Sequence, residues 1–256
     1  MNKNKNFFDE IDGGWEDVIA DVYEKSNFEY YTPSTINYGN HTITKPYIAE
    51  NDIINKSGRP IFPRLGKGII KIPSGVNTIS HNAFINCDSI KNIEFPKSLL
   101  CVDNNAFSNC NGLKKLKFNE GLSIIGPNSF FKCSNIISIY LPPTLTSINY
   151  NAFNYCGLTG DLKIPSSVKN IDENAFHENK NLNGKLFLSE GLLEIGRNCF
   201  ENCSFTGELK IPETVEYIGK EAFSGCNFSK IYVPKNNVNK WVIGWNNGLN
   251  CEIIEY

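Results

Sequence analysis

At 256 residues, 41% hydrophobic and 20% charged, the chain has the make-up of a globular protein long enough to bury a full core. A formal net charge of −2 gives no general attraction to nucleic acid or to an anionic membrane surface. No apolar run nears the roughly 18 residues of a spanning helix, and neither end carries a signal or lipidation motif that would address the chain to a compartment.

Residues 1–66 lack internal repetition. Between Gly14 and Ser26, Trp15, Val18, Ile19, Val22 and Tyr23 recur at helical spacing while Glu16, Asp17, Asp21 and Glu24 take the other face, which predicts one amphipathic helix. Asn27 to Arg64 is rich in Tyr, Asn, Thr and Pro with only short apolar runs, a composition for irregular structure with short strands. Two roles fit this small α/irregular segment. It caps the open edge of the first repeat C-terminal to it, or it attaches the chain to a partner through the face formed by Trp15, Val18, Ile19, Val22 and Tyr23.

From residue 67 onward one unit recurs. Phe84 returns as Phe107, Phe130, Phe153, Phe176, Phe200 and Phe223, at steps of 23 residues with one step of 24 between Phe176 and Phe200. A period of that size marks a solenoid. Five residues ahead of each Phe stands Ile79, Val102, Ile125, Ile148, Ile171, Ile195 or Ile218, and eight ahead a Val or Leu, all expected inside. Four ahead come Ser80, Asp103, Gly126, Asn149, Asp172, Gly196 and Gly219, types that tolerate a bend at positive φ. Two ahead is Asn in six of seven units, suited to cap a short helical turn that Ala-Phe begins.

Each unit also holds an alternating segment, as in Ile93-Glu94-Phe95, Leu116-Lys117-Phe118, Ile139-Tyr140-Leu141 and Leu186-Phe187-Leu188, commonly followed by proline. One outward residue between two inward ones predicts one parallel strand per repeat, ended by the proline. The expected fold is a β-rich, right-handed solenoid with short helical turns. Its boundaries fall at 1–66 for the N-terminal segment, 67–233 for seven repeats and 234–256 for a closing repeat. Cys87, Cys110, Cys133, Cys156, Cys203 and Cys226 each lie three residues after the repeat Phe, with Asn179 interrupting the series. Stacked coils align them as a column of free, buried thiols acting as small hydrophobes, which this reading favours over a disulfide framework.

The pattern IP-x-x-V-x-x-I-x-x-N-A-F-x-x-C, with the variants GLTGDLKIP (157–165), NLNGKLFLS (181–189) and FTGELKIP (205–212), resembles the BspA-like leucine-rich repeats of bacterial surface proteins. The ending IYVPKNNVNKWVIGWNNGLNCEIIEY is similar to the degenerate last repeat that closes such arrays. The likeness covers about residues 67–256 and leaves residues 1–66 aside. It implies a leucine-rich-repeat coil engaged in adhesion and protein binding at cell surfaces, without catalysis.

No catalytic set stands out. His41, His81 and His177 are the three histidines, and His81 and His177 fall at variable turn positions where a solvated side chain is expected. The absence of CxxC spacing or of a repeated His partner speaks against zinc, and a buried thiol makes a poor nucleophile. An enzyme, a metal and a cofactor are therefore not expected. The outward strand residues are more informative: Lys71, Glu94, Lys117, Tyr140, Lys163, Phe187, Lys210 and Tyr232 form a ladder roughly 34 Å long at about 4.8 Å per strand. Its lysines suit a solvated face that discourages edge pairing, but Phe187 between Lys163 and Lys210 has no folding reason to point outward. Lys71, Lys117, Tyr140, Lys163, Phe187, Lys210 and Tyr232 are the candidate contacts. The first function class is a non-catalytic adhesion module that holds a protein or glycan at a cell surface. The second is a structural component of a larger assembly, such as a phage tail or virion protein, docked by residues 1–66. Neither class calls for nucleic acid.

Overall fold

The computed structural model describes residues 69–256 apart from Pro73, together with the backbone of three short strands, Thr35–Tyr38, His41–Thr44 and Tyr47–Ile48. The helix expected over Gly14 to Ser26 lies outside the described residues. Thr35–Tyr38 and His41–Thr44 form an antiparallel hairpin, in keeping with the short strands expected there.

From Ile69 the chain winds as a parallel β-solenoid. Where the sequence alternates, each coil contributes a short strand to a first ladder: Ile69–Lys71, Asn92–Glu94, Lys115–Lys117, Ser138–Tyr140, Leu162–Lys163, Leu186–Phe187, Thr206–Lys210, Asn227–Val233 and finally Glu252–Glu255. Like stands opposite like across neighbouring coils, Ile70 beside Ile93, Leu116 beside Ile139, Leu162 beside Leu186 and Leu209 beside Ile231. The expectation of one strand per repeat is extended here, because every coil carries a second. Tyr47–Ile48, Thr78–Ile79, Cys101–Val102, Ile124–Ile125, Ser147–Ile148, Asn170–Ile171, Glu194–Ile195 and Tyr217–Ile218 form an unbroken eight-stranded parallel sheet, the second ladder. Its strands are two residues long, too short for alternation to announce them.

Between the ladders the repeat phenylalanines stack. Neighbouring rings along the series from Phe84 to Phe223 lie 4.9 to 5.7 Å apart and within 15° of parallel. All seven are fully buried. Two further stacked pairs flank this column at different positions of the coil, Phe95 on Phe118 and Phe205 on Phe228. At the C-terminal end Trp245 sets its edge against Phe223, and Trp241, in edge contact with Trp245, donates its indole N–H to the Val215 carbonyl. These two buried tryptophans cover the Phe223 end of the ring stack.

The corners differ from expectation in an instructive way. Among the described residues the one helical element is the 3-10 turn Val238–Lys240, so the short helical turns are replaced by tight non-helical ones. Asn82, Asn105, Asn128, Asn151, Asn174 and Asn198 take φ of 52° to 58°. Asparagine is there because it tolerates the left-handed region, not because it caps a helix. The glycines four before the Phe are not at positive φ. At Gly196 the neighbouring coil is too close for a side chain, since a Cβ would sit 2.3 Å from the Glu173 nitrogen.

The cysteine column is present and has a second task. Cys110, Cys133, Cys156, Cys203 and Cys226 each donate Sγ–H to the carbonyl of the Phe one coil back, at 2.9 to 3.3 Å. Asn179 fills the gap with its amide, which donates to both Phe153 and Phe176 at 2.8 Å. All nine cysteines are free. Titration of anaerobically purified protein under denaturant is expected to find nine thiols, and a smaller number would restore the disulfide framework.

One half-buried carboxylate carries a pH prediction. Burial raises the Asp172 carboxyl above its ordinary range, the nearby Glu194 raises it further, and a hydrogen bond from the Tyr150 backbone only partly opposes them. A carboxyl that binds its proton more tightly when folded contributes stability at acid pH and loses it as pH rises through the raised folded value. In the preceding coil the equivalent Asn149 donates to the Ile125 carbonyl at 3.0 Å. Asp172→Asn is therefore expected to raise the melting temperature at pH 7, with the gain shrinking as pH falls through the carboxylate range. Melting curves across pH check this, and a lower melting temperature at pH 7 would contradict it.

Candidate binding face

Strand alternation turns one column of first-ladder side chains inward and the next outward. Lys71, Lys117, Tyr140, Lys163, Phe187 and Lys210 are exposed as expected, and Tyr232 is half-buried. Tyr140 keeps 49% of its surface and Phe187 41%. The register places Lys117 beside Tyr140, Lys163 beside Phe187 and Lys210 beside Tyr232. The Lys163 ammonium lies 5.4 Å from the centre of the Phe187 ring, within reach of cation–π attraction.

The other side of the expected sandwich is arranged differently. The Lys210 ammonium sits 4.5 Å over the ring of Tyr256, whose hydroxyl donates to the Ile211 carbonyl. Lys210 is thus engaged by the chain's last residue, and Phe187 is left open on that flank. Tyr256 is 45 positions from its partner and outside the repeat, so no spacing signal marked it. Ile137, just ahead of Tyr140 in the same coil, is also exposed. The parallel outward column is polar and largely satisfied: the Asp161 carboxylate accepts from the Lys185 backbone, and Lys230 pairs with Glu252 at 3.4 Å. The N-terminal set Trp15, Val18, Ile19, Val22 and Tyr23 lies outside the described residues.

A second polar cluster occupies a corner. His177, expected to be solvated, is half-buried between coils, its Nδ1 3.2 Å from Asn154 Oδ1 and its Nε2 3.3 Å from Glu201. The Tyr155 ring meets it edge-on at 5.8 Å. Burial raises the Glu178 carboxyl, but hydrogen bonds from Lys180 and Asn202 outweigh it and hold the group below its usual value. Lys132, Tyr155 and Glu178 sit at φ of 56° to 62°, the corner that Asn or Gly holds in the other coils. Single sequence positions give no hint of this, because its contacts join three coils.

Thiol chemistry is suppressed. Burial pushes Cys87 up to about 11, with Asp88 adding to it, and Cys101 up to about 12. Among the described residues no three His, Cys, Asp or Glu side chains gather as metal ligands would, and no helix is long and apolar enough to cross a membrane.

Comparison with known proteins agrees with the coil geometry. The family described as "BspA type Leucine rich repeat region" matches residues 67–183 and 162–242 in six copies. The chain belongs to that family. Among solved structures, a leucine-rich repeat protein from Bacteroides ovatus is similar at 20% identity and a TM-score of 0.58, over 88% of this chain and 68% of the other. A leucine-rich cell surface protein from Faecalibacterium prausnitzii matches at 17% identity and a TM-score of 0.43, over 88% and 86%. The pneumococcal vaccine antigen PcpA matches at 18% and 0.43, over 88% and 77%. No curated protein matches the chain in sequence. The first of the structures supports the fold, and the family makes this BspA-type array a repeat binding module.

Proposed function

We propose that this BspA-type array is a non-catalytic module that grips a protein or glycan at a cell surface with the outward column of its first ladder. The observation that carries the proposal is Phe187, a large ring left 41% exposed on a strand whose alternation commits its neighbours Leu186 and Leu188 inward. Exposure there contributes nothing to folding, whereas burial against a partner does. Tyr140 and Lys163 extend the contact on one side of Phe187. The surface setting rests on the resemblance to repeats of bacterial surface proteins.

Screening the protein against a glycan array and a panel of cell-surface proteins, then repeating the positive binding with Phe187→Ala, tests the reading. Covering the ring should contribute about 2 kcal/mol, so the variant is expected to bind roughly thirtyfold more weakly. Unchanged affinity would move recognition to the corner around Tyr155 and His177. The alternative, a component of a larger assembly docked by residues 1–66, would require the native protein to purify inside a particle.

A further inference from the structure

The tryptophan end of the array is covered unevenly. Trp245 and Trp241 lie over the ring stack, and the Val242 N–H donates to the Ile218 carbonyl at 3.1 Å, so the stack and the second ladder each have a neighbour there. The first ladder does not. Among the described residues no strand follows Glu252–Glu255, the edge of its three-stranded sheet. Ile253 takes the inward position of Leu209 and Ile231 in the preceding coils, yet it is 36% exposed where those two are completely buried. An inward isoleucine is buried by the coils on both sides of it, and here one side is open. The backbone is open as well. The Tyr256 N–H donates to the Val233 carbonyl at 3.0 Å, and its carbonyl accepts from the Lys235 N–H at 3.2 Å. Backbone direction alternates along a strand, so Ile254 also bonds toward the ladder, while the N–H and C=O groups of Ile253 and Glu255 point to the free edge.

Charge says what fits this edge. The outward residue directly ahead of each inward one reads Asp161, Lys185, Glu208, Lys230 and Glu252, alternating in sign at every coil. Neighbours in the series meet: the Lys185 backbone N–H donates to the Asp161 carboxylate at 2.8 Å, Glu208 stands opposite Lys230 in register, and Lys230 pairs with Glu252 at 3.4 Å. The next place in the series, beyond Glu252, suits a cation, and the Glu252 side chain is 62% exposed toward it. Glu255 adds a second exposed carboxylate to the strand. A second copy of the strand fits poorly. Paired with itself in full register, it sets Glu252 opposite Glu255 when antiparallel and opposite another Glu252 when parallel, and like charges across a ladder are destabilising. We propose that Glu252–Glu255 accepts an extended segment of a partner protein as one more strand of the first ladder, with a lysine or arginine against Glu252 and an apolar side chain over Ile253. This site lies at the end of the array and draws on backbone bonds, whereas the face around Phe187 lies along its side and draws on an exposed ring.

A short synthetic peptide of alternating lysine and isoleucine is the probe, and the same peptide with glutamate for lysine is its control. Amide hydrogen exchange of the full chain, read by NMR residue by residue, is expected to find Ile253 and Glu255 fast and Ile254 slow before peptide is added. Saturating lysine peptide should slow Ile253 and Glu255 by about tenfold or more, and the glutamate peptide should not. Glu252→Lys should weaken binding of the lysine peptide by about tenfold. Glu255→Pro removes an N–H that faces the edge without taking a bond from the ladder, and it should abolish binding, whereas Glu255→Gln keeps most of it. Phe187→Ala should bind the peptide as the wild-type protein does, which separates a failure here from a failure of the ring-based reading. The proposal is overturned if the lysine peptide leaves both amides fast, if the glutamate peptide protects them equally, or if Glu255→Pro binds as well as wild type with its melting transition retained. It is also overturned if both amides are already slow in the free protein, with sedimentation then showing whether a second copy holds the edge. Should Glu255→Pro unfold the last coil, the Glu252→Lys and two-peptide results decide.

Discussion

Phe176→Ala is expected to lower folding stability by about 3–5 kcal/mol. The ring is fully buried and stacked on Phe153 at 5.3 Å and on Phe200 at 5.5 Å, so truncation opens a cavity bounded by two flat rings that cannot both move in. Its carbonyl also accepts from Cys203 and Asn179, which ties the coil's backbone to its neighbours and limits collapse around the gap. In a solenoid each coil is held by the next. A break at the fifth of seven repeat phenylalanines should weaken coupling between the two halves, seen as a broader urea transition as well as an earlier midpoint. A loss under about 1 kcal/mol would mean that the stack is not the main support of the array.

Trp245→Ala removes a comparable area of aromatic surface but at the end of the stack, and its expected loss is similar in size and different in reach. Trp245 is buried with its edge on Phe223 and on Trp241. Without it one face of Phe223 opens to water, at a cost of about 3–5 kcal/mol for a buried Trp. The coils upstream keep their neighbours. Hydrogen exchange should therefore show lost protection over residues 206–255 with residues 101–171 little changed, a local opening rather than a global one. Uniform loss along the array would contradict the capping role of the tryptophans.

The features legible from sequence were those that every coil must repeat. The Phe and Cys columns have one geometry per turn, so a change at any coil would disturb two neighbours, and the spacing stayed regular enough to read. The second ladder was not legible because two-residue strands carry no alternation. Asparagine at the corner was legible as a special position but not as the right one, since helix capping and left-handed φ favour the same side chain. A third column was missed although its signal was present. Ser98, Thr144, Ser167 and Thr214 each follow a proline by two residues, and each hydroxyl donates to a carbonyl of the preceding coil at 2.7 to 2.8 Å. At the candidate face, exposure of Tyr140 and Phe187 followed from alternation alone. The capture of Lys210 by Tyr256 and the setting of His177 among Asn154, Glu201 and Tyr155 did not, because those contacts join positions that no local pattern links.

The central claim is that two phenylalanines eleven positions apart have opposite tasks, Phe176 inside for folding and Phe187 outside for recognition. Equilibrium urea unfolding of Phe187→Ala tests it most directly. The predicted midpoint and slope match the wild-type protein, with a stability change within about 0.5 kcal/mol, as for a surface substitution. A loss of several kcal/mol, of the size expected for Phe176→Ala, would place Phe187 in the core and contradict the account.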